Sequence, residues 1–168
     1  MAEATLTKSA LTRSFKGLIL EQPFSKISVG DICKSCDLNR KSFYYHYKDK
    51  YDLANSIFDN EFPFLSYDAS YNDIDVLKAL CRYLGTNRAY YKKLLSTEGQ
   101  NSFYDHLRIR LKTYFQKRLS DKSSFCTTFW SDAVALSIKE WIISKNPAST
   151  DDFYSQLSSC IRIENRAS

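Results

Sequence analysis

Glycine and proline are so scarce in this chain, 4 and 3 in 168 residues, that a sheet meander would have too few places to turn. Few breakers over such a length favour helices, arranged as one compact domain or as a small module joined to a modest second one. Apolar types reach 43%, enough for a sizeable core. The sparse punctuation then divides the chain. Thr7 can cap a helix running to about Glu21, with Leu11, Phe15, Leu18 and Ile19 as its inward stripe, and Pro23 ends it. Ser28 with Asp31 approximates a capping box and opens a short helix through Ile32 to about Ser35. Asp37 and Leu38 make a tight turn, Asn39 caps a third helix to about Tyr47, and Asp49 and Asp52 open a fourth that runs towards Pro63.

The rest of the chain continues in the same manner. After a polar stretch around Asp68–Asn72, Asp73 opens a helix with Ile74, Leu77, Leu80, Cys81 and Leu84 inward. A short aromatic helix follows at Ala89–Leu95, stopped near Gly99. Asn101–Leu119 carries Phe103, Leu107, Leu111 and Phe115 at steps of four, with Arg108, Arg110, Lys112, Lys117 and Arg118 largely outside. Ser124 to about Lys145 is apolar nearly all round, and Pro147 separates it from a last helix beginning at Ser149 or Thr150. The expected fold class is all-α, with about nine helices and no convincing strand.

Charge and cysteine usage narrow the setting. Residues 1–50 carry nine Lys/Arg against five Asp/Glu, whereas the remainder carries fifteen against fourteen. A basic first third on a nearly neutral body suits a polyanion at the N-terminal end, although a solvated basic surface would look the same. Cys33, Cys36, Cys81, Cys126 and Cys160 are odd in number and scattered among apolar neighbours, which is no disulfide framework. No apolar leader and no run of membrane-spanning length is present, so a soluble, cytoplasmic chain with no membrane partner is expected.

The most specific signal is local. Helices at 28–35 and 39–47, joined by a turn of three or four residues, have helix-turn-helix spacing. Stepping 100° per residue from Arg40, Phe43 and Tyr47 point inward together, while Lys41, Ser42 and Tyr45 point away, flanked by Tyr44 and His46. A helix that spends two aromatic rings and a histidine outside its core needs a partner for them. Tyrosine hydroxyls reach phosphates, and lysine, arginine, serine and histidine reach phosphates or base edges. Lys48 and Lys50 follow at the next helix start, where free backbone amides also attract phosphate.

The run from Ile27 to Leu53 resembles the DNA-binding signature of the TetR family, with Ser28, Val29, Ile32, Phe43, Tyr44, Tyr47, Lys50 and Leu53 on matching positions. Three positions depart from it. Asp37 stands for the turn glycine, Cys33 and Cys36 for alanines, and Pro23 for a glycine after the first helix. With these variations, and with the segments Tyr90–Phe103 and Trp141–Phe153, the chain resembles the dihydroxyacetone-kinase-regulator-like subset of that family. The resemblance implies a DNA-binding domain at 1–50 and a helical ligand-binding and dimerisation domain at 51–168. It implies that Arg40, Lys41 and Ser42 enter the major groove of double-stranded operator DNA. Tyr44, Tyr45 and His46 would contact bases or phosphates, Lys50 would grip the backbone, and Ser28 and Val29 would touch phosphate. A homodimer reading a palindromic operator is implied too, with DNA affinity set by an unidentified small-molecule effector or protein co-regulator; the sign of regulation is open.

Other features have plainer readings. Cys33-x-x-Cys36 could hold a metal or sense redox state, but without a second pair these thiols read as small core residues, and neither a metal nor a cofactor is expected. His106 could line an effector pocket or simply be exposed or capped. Tyr83, Tyr90, Tyr91, Trp130 and Trp141 could line a cavity or fill a core. Phe125, Phe129, Ala133, Leu136 and Trp141 make the 125–143 helix broadly apolar, buried in its own core or across a dimer, with Phe153, Leu157, Cys160 and Ile161 of the last helix as its expected partner. A thiol hydrolase built on a cysteine and His106 lacks any supporting phosphate loop, nucleophile elbow or carboxylate pair, so no enzyme is expected. A helical interaction module without DNA binding is the remaining alternative, and Lys41, Tyr44 and Lys50 weigh against it.

Overall fold

The computed structural model describes residues 2–65, 76–97, 102–119 and 123–165. Among these it holds nine α-helices and no strand: α1 Ala2–Glu21, α2 Val29–Ser35, α3 Arg40–His46, α4 Lys50–Glu61, α5 Val76–Thr86, α6 Arg88–Leu95, α7 Phe103–Arg118, α8 Ser124–Ile143 and α9 Thr150–Asn165. Short 3-10 turns at Phe24–Lys26 and Pro63–Leu65 complete the set. The expected openings at Asp73 and Asn101, with Ile74 and the polar stretch 68–72, lie outside the described residues.

Caps explain most boundaries. Ser28 and Asp31 form a complete capping box on α2, Asn39 accepts from the Ser42 amide at the start of α3, and Asp49 accepts from the Tyr51 and Asp52 amides on α4. Ser102, Ser123 and Ser149 cap α7, α8 and α9 in the same way. The start of α1 differs from expectation. It begins at Ala2 rather than after Thr7, because Ala-Glu-Ala-Thr-Leu holds no breaker and a threonine inside a run of helix formers does not end it.

α1 supplies Leu11, Phe15 and Ile19 to the core, and α2 and α3 lean on it through Ile32, Cys33, Phe43 and Tyr47. The Ser14 hydroxyl donates to the Ile32 carbonyl at 2.7 Å, tying α1 to α2. α4 then carries the chain from this cluster into the helices that follow. Its Phe58 is fully buried, and its ring meets those of Phe62, Tyr83, Tyr91, Phe103 and His106. Tyr90, Tyr91 and Trp141 are buried, and Tyr83 and Trp130 pack against the same core, so these aromatics serve as core side chains.

The partner of α8 is not the expected one. α8 packs chiefly along α7, whose stripe of Phe103, Leu107, Leu111 and Phe115 is wholly buried, and next against α6; α9 lies mainly on α5. The Arg108 guanidinium clamps Asp132 of α8 with two bonds of 2.8 and 2.9 Å, which sets the α7–α8 register. α9 docks through Leu157 and through Phe153, whose ring stacks on Trp141 at 4.4 Å, while Cys160 is exposed. Gly85 permits that dock: a Cβ there would stand 2.7 Å from Thr150 Oγ1 and 3.1 Å from the Trp141 ring.

His106 is largely buried and capped by a carboxylate. Its Nε2 lies 2.9 Å from Asp59 Oδ1, and Arg110 holds both oxygens of the same carboxylate, which bolts α4 to α7. Burial pushes the Asp59 pKa up, but the bonds from His106 and Arg110 outweigh it and hold the group below its ordinary 3.8. A carboxylate depressed in the folded state contributes stability that is complete above its unfolded value and is lost as pH falls through the folded one. Asp59→Asn is therefore expected to be less stable than the parent near neutrality and to lose less on acidification below about pH 4. Urea midpoints measured from pH 6 down to pH 2 check this; parallel pH curves for the two proteins would refute it.

Candidate nucleic-acid interface

α3 is seven residues long, and its two faces differ sharply. Phe43 and Tyr47 are buried against α1 and α2, whereas Arg40, Lys41, Tyr44 and Tyr45 are exposed and Ser42 and His46 half-buried. Tyr45 is 82% exposed and Tyr44 55%, so neither ring is part of the core. Both are nonetheless braced. The Tyr45 ring stands edge-on to His46 at 4.9 Å, and Tyr44 edge-on to Phe43 at 5.5 Å. Ser42 donates both its amide and its hydroxyl to the Asn39 side-chain oxygen, at 2.8 and 3.2 Å.

The turn before α3 works without glycine. Asp37 adopts φ 54°, a left-handed conformation that aspartate tolerates better than most residues. The Cys36 and Asp37 amides return to the Cys33 and Lys34 carbonyls, and the Leu38 amide also reaches Cys33. Cys33 and Cys36 sit inside this turn as small packing residues. Their thiols lean on the Asn39 and Ile32 carbonyls at 3.6 and 3.2 Å, and burial pushes both pKa values up, away from reactive thiolate.

Three of the expected contact residues are already engaged within the protein. Ser28 is the cap of α2, its hydroxyl bonded to Asp31, and these bonds, first the hydroxyl and then the Ser28 amide, hold Asp31 below its usual range. Arg40 folds back over the start of α2, where a Cβ on Gly30 would stand 2.7 Å from the guanidinium. Lys50 departs furthest from expectation. Its ammonium donates to the carbonyls of Phe24, Ser25 and Ile27 at 2.8, 3.3 and 2.8 Å and lies 4.5 Å from the centre of the Phe24 ring. Burial pulls its pKa below the usual lysine value, with Asp49 pulling back. The sequence places Lys50 at a helix start, where a phosphate could sit, but the Tyr51 and Asp52 amides there are taken by Asp49. Val29 is half-buried beside this cap.

One contributor escaped the sequence reading. The early start of α1 brings Ala4 and Thr7 alongside α3, and with Asn39, Lys41, Ser42, Tyr45 and His46 they wall an open cleft of about 450 Å³. The signal was the unbroken Ala-Glu-Ala run, which extends the helix towards α3.

Comparison with known proteins agrees with this geometry. Residues 16–57 match the bacterial regulatory proteins of the tetR family. Residues 72–162, more than half the chain, match a transcriptional regulator C-terminal region of the same family. The chain belongs to the TetR family of transcriptional regulators. Among individual relatives, the HTH-type dhaKLM operon transcriptional activator DhaS of Lactococcus lactis subsp. lactis (strain IL1403) is 27% identical over 171 residues, covering 94% of this chain and 89% of that one. A solved structure of the dihydroxyacetone kinase operon activator DhaS superposes with a TM-score of 0.67 at 24% identity, over 95% of this chain and 96% of that one. A TetR regulator from Streptococcus agalactiae 2603V gives 0.70 at 19% identity over the same shares. At these identities the structures establish the fold, an N-terminal helix-turn-helix followed by a helical C-terminal part.

Within this TetR fold, Lys50 closes the 3-10 turn that precedes α2. Lys50→Met keeps the aliphatic stem and removes the donor to three carbonyls. It is expected to cost about 1–3 kcal/mol of stability, visible as a lower urea midpoint with an unchanged m-value. An unaltered midpoint would mean that water satisfies those carbonyls equally well.

Proposed function

We propose that this TetR-family regulator binds a palindromic operator as a homodimer in the cytoplasm, reading DNA with residues 1–50 and taking its signal through residues 51–168. The observation that carries the reading is the outer face of α3. Lys41, Ser42, Tyr44, Tyr45 and His46 stand on a helix whose other face is fixed by Phe43 and Tyr47, so the groove-facing set is held rigid before DNA arrives. Lys41 and Ser42 read base edges; Tyr44, Tyr45 and His46 contact bases or phosphates. Arg40 joins them by swinging off Gly30, while the Ser28 and Val29 end of α2 approaches phosphate. Lys50 acts from beneath, by holding the turn that orients α2.

The dimer reading rests on an uncovered apolar face. Phe125, Phe129 and Leu136, at steps of four and seven on α8, are 80, 55 and 50% exposed, and Ile109 of α7 is 62% exposed. A second copy laid across α8 would cover them, and two-fold symmetry matches a palindrome. An unidentified effector or co-regulator then favours one head separation over another, which requires different affinity for the two states. The Lactococcus relative is by name an activator of the dhaKLM operon. That likeness favours activation, and an operon for dihydroxyacetone metabolism, over other pathways for this chain; nothing in this reading calls for catalysis.

Two experiments test it. Genomic operator selection with the purified protein is expected to return a palindrome, bound with a steep salt dependence because lysines displace counterions. Lys41→Ala is expected to change the preferred half-site, at roughly 1–3 kcal/mol for a lost base contact; an unchanged motif would remove Lys41 from the reading set. For the dimer, Leu136→Glu is expected to give a folded, helical monomer with weak affinity for the full operator. Leu157→Arg, by contrast, places a charge inside the α5–α9 contact and is expected to unfold the chain, at about 3–5 kcal/mol. Sedimentation with circular dichroism separates the two, and a Leu136→Glu protein that still sediments as a dimer would move the interface off α8.

A further inference from the structure

We propose that Glu61, in the last turn of α4, is the positioning residue that sets the angle between reading head and body and so the half-site spacing the dimer accepts. The proposal rests on the operator-binding reading above. Three helices meet at this one carboxylate, and a fourth joins through Tyr83. Lys16 of α1 lies 2.5 and 2.7 Å from its two oxygens, and the Tyr83 hydroxyl of α5 donates to Oε2 at 2.8 Å. The Tyr91 hydroxyl of α6 stands 2.6 Å from that of Tyr83. Because Tyr83 gives its proton to Glu61, Tyr91 is the donor in this second bond, and the chain runs Tyr91 to Tyr83 to Glu61, with Lys16 facing it from the head. Each link polarises the next.

The neighbouring contacts place this latch at the outer edge of a seam whose inner part is packed by Phe15 and Tyr90. α4 is bolted to the body by Asp59 with His106 and Arg110 and to the head by Lys50, so a change of head angle is felt at the far end of α4, where Glu61 meets α1. Between α1 and the α5–α6 turn lies an open cleft of about 240 Å³, walled by Lys16, Leu20, Thr86, Asn87, Ala89 and Tyr90. The buried Phe15–Tyr90 pair fixes how closely the helices approach, and along the cleft beyond it polar contacts take over. Lys16 also lies 5.7 Å from the centre of the Tyr90 ring, and among the described residues two hydrogen-bonded contacts cross the seam. One is the Glu61 latch; the other is Lys93 of α6, whose ammonium reaches the Leu20 and Gln22 carbonyls at 2.8 and 3.4 Å. Lys93 meets the end of α1 and acts as a pivot, whereas Lys16 lies more than a turn further along the helix and fixes the rotation about it. Lys16 and Glu61 are each about one-third exposed, 33 and 35%, so the pair can open into water without stranding a buried charge.

Glu61→Gln keeps the shape and an acceptor for Tyr83 but removes the charge that holds Lys16. Because an exposed pair contributes little to folding, the thermal midpoint is expected to stay near that of the parent. Fluorescence anisotropy on a single half-site is expected to give the parent's affinity within about twofold. On full operators whose spacers differ by single base pairs, the preference for the best spacer over its neighbours is expected to fall by about fivefold or more. The exchanged pair K16E/E61K, in which the new lysine can also donate to Tyr83, is expected to restore the preference. An E61Q protein with the parent's spacing profile would overturn the proposal. If the parent binds no operator at all, it is the operator reading that fails. The latch is then judged without DNA, by the distance distribution between spin labels carried on unnatural residues at Lys34 and Gln116. Broadening in E61Q supports the latch, and an unchanged distribution overturns it.

Discussion

Phe58 takes part in more ring contacts than its length of chain would suggest. Its side chain has no exposure, and the rings around it come from α4 itself, from α5, α6 and α7. Burying an aromatic of this size contributes on the order of 2–3 kcal/mol by area alone, and edge-to-face pairs add to that. The consequence is geometric as much as energetic. α4 carries the chain from the small cluster α1–α3 to the helices from α5 onward, beside the direct packing of α1 on α6, and Phe58 fixes its second half in the larger core. The cluster is thus joined to the larger core by a twelve-residue lever anchored at its far end and by the α1–α6 seam.

Besides this apolar burial, charged side chains hold the two ends of that lever. At the start, Lys50 gathers three carbonyls of the preceding turn, and Asp49 occupies the first free amides of α4. At the other end Asp59 faces α7 and Glu61 faces α1 and α5. An ion pair at a seam costs desolvation and returns little net stability, but it is directional in a way that apolar contact is not. A lever held by directional contacts keeps its angle until one of them is exchanged. That property suits the proposed role, in which the separation of two reading heads is the working variable.

The parts of the fold set by neighbours in sequence were legible from the sequence. The Ser28–Asp31 box, the Asn39 and Asp49 caps and the inward pair Phe43 and Tyr47 are all signals within four residues, and each helix they define stands where expected. Long-range pairings were not legible, because nothing in the local pattern encodes them. The carbonyl partners of Lys50 lie 23 to 26 residues away. His106 finds Asp59 across 47 residues, and Lys16 finds Glu61 across 45. The α8 partner was misjudged for a related reason. A helix apolar all round gives no phase from which to choose a neighbour, and only the strict four-step stripe of α7 settles which face turns inward.

The brevity of α2 and α3 gives these long-range contacts their importance. Isolated helices of seven residues are unstable in water, since nucleation costs more than so few bonds return. α3 exists because Phe43 and Tyr47 are buried on α1, because Asn39 caps it, and because Asp37 accepts a left-handed turn without glycine. Its outer side chains contribute almost nothing to holding it. Lys41, Tyr44 and Tyr45 could therefore vary with the target while Phe43 and Tyr47 stay fixed, and the same inner contacts could carry a different reading face. The early start of α1 follows the same logic. The length of α1 beyond what the core needs places Ala4 and Thr7 beside α3, where they shape the approach to its outer face without supporting its fold.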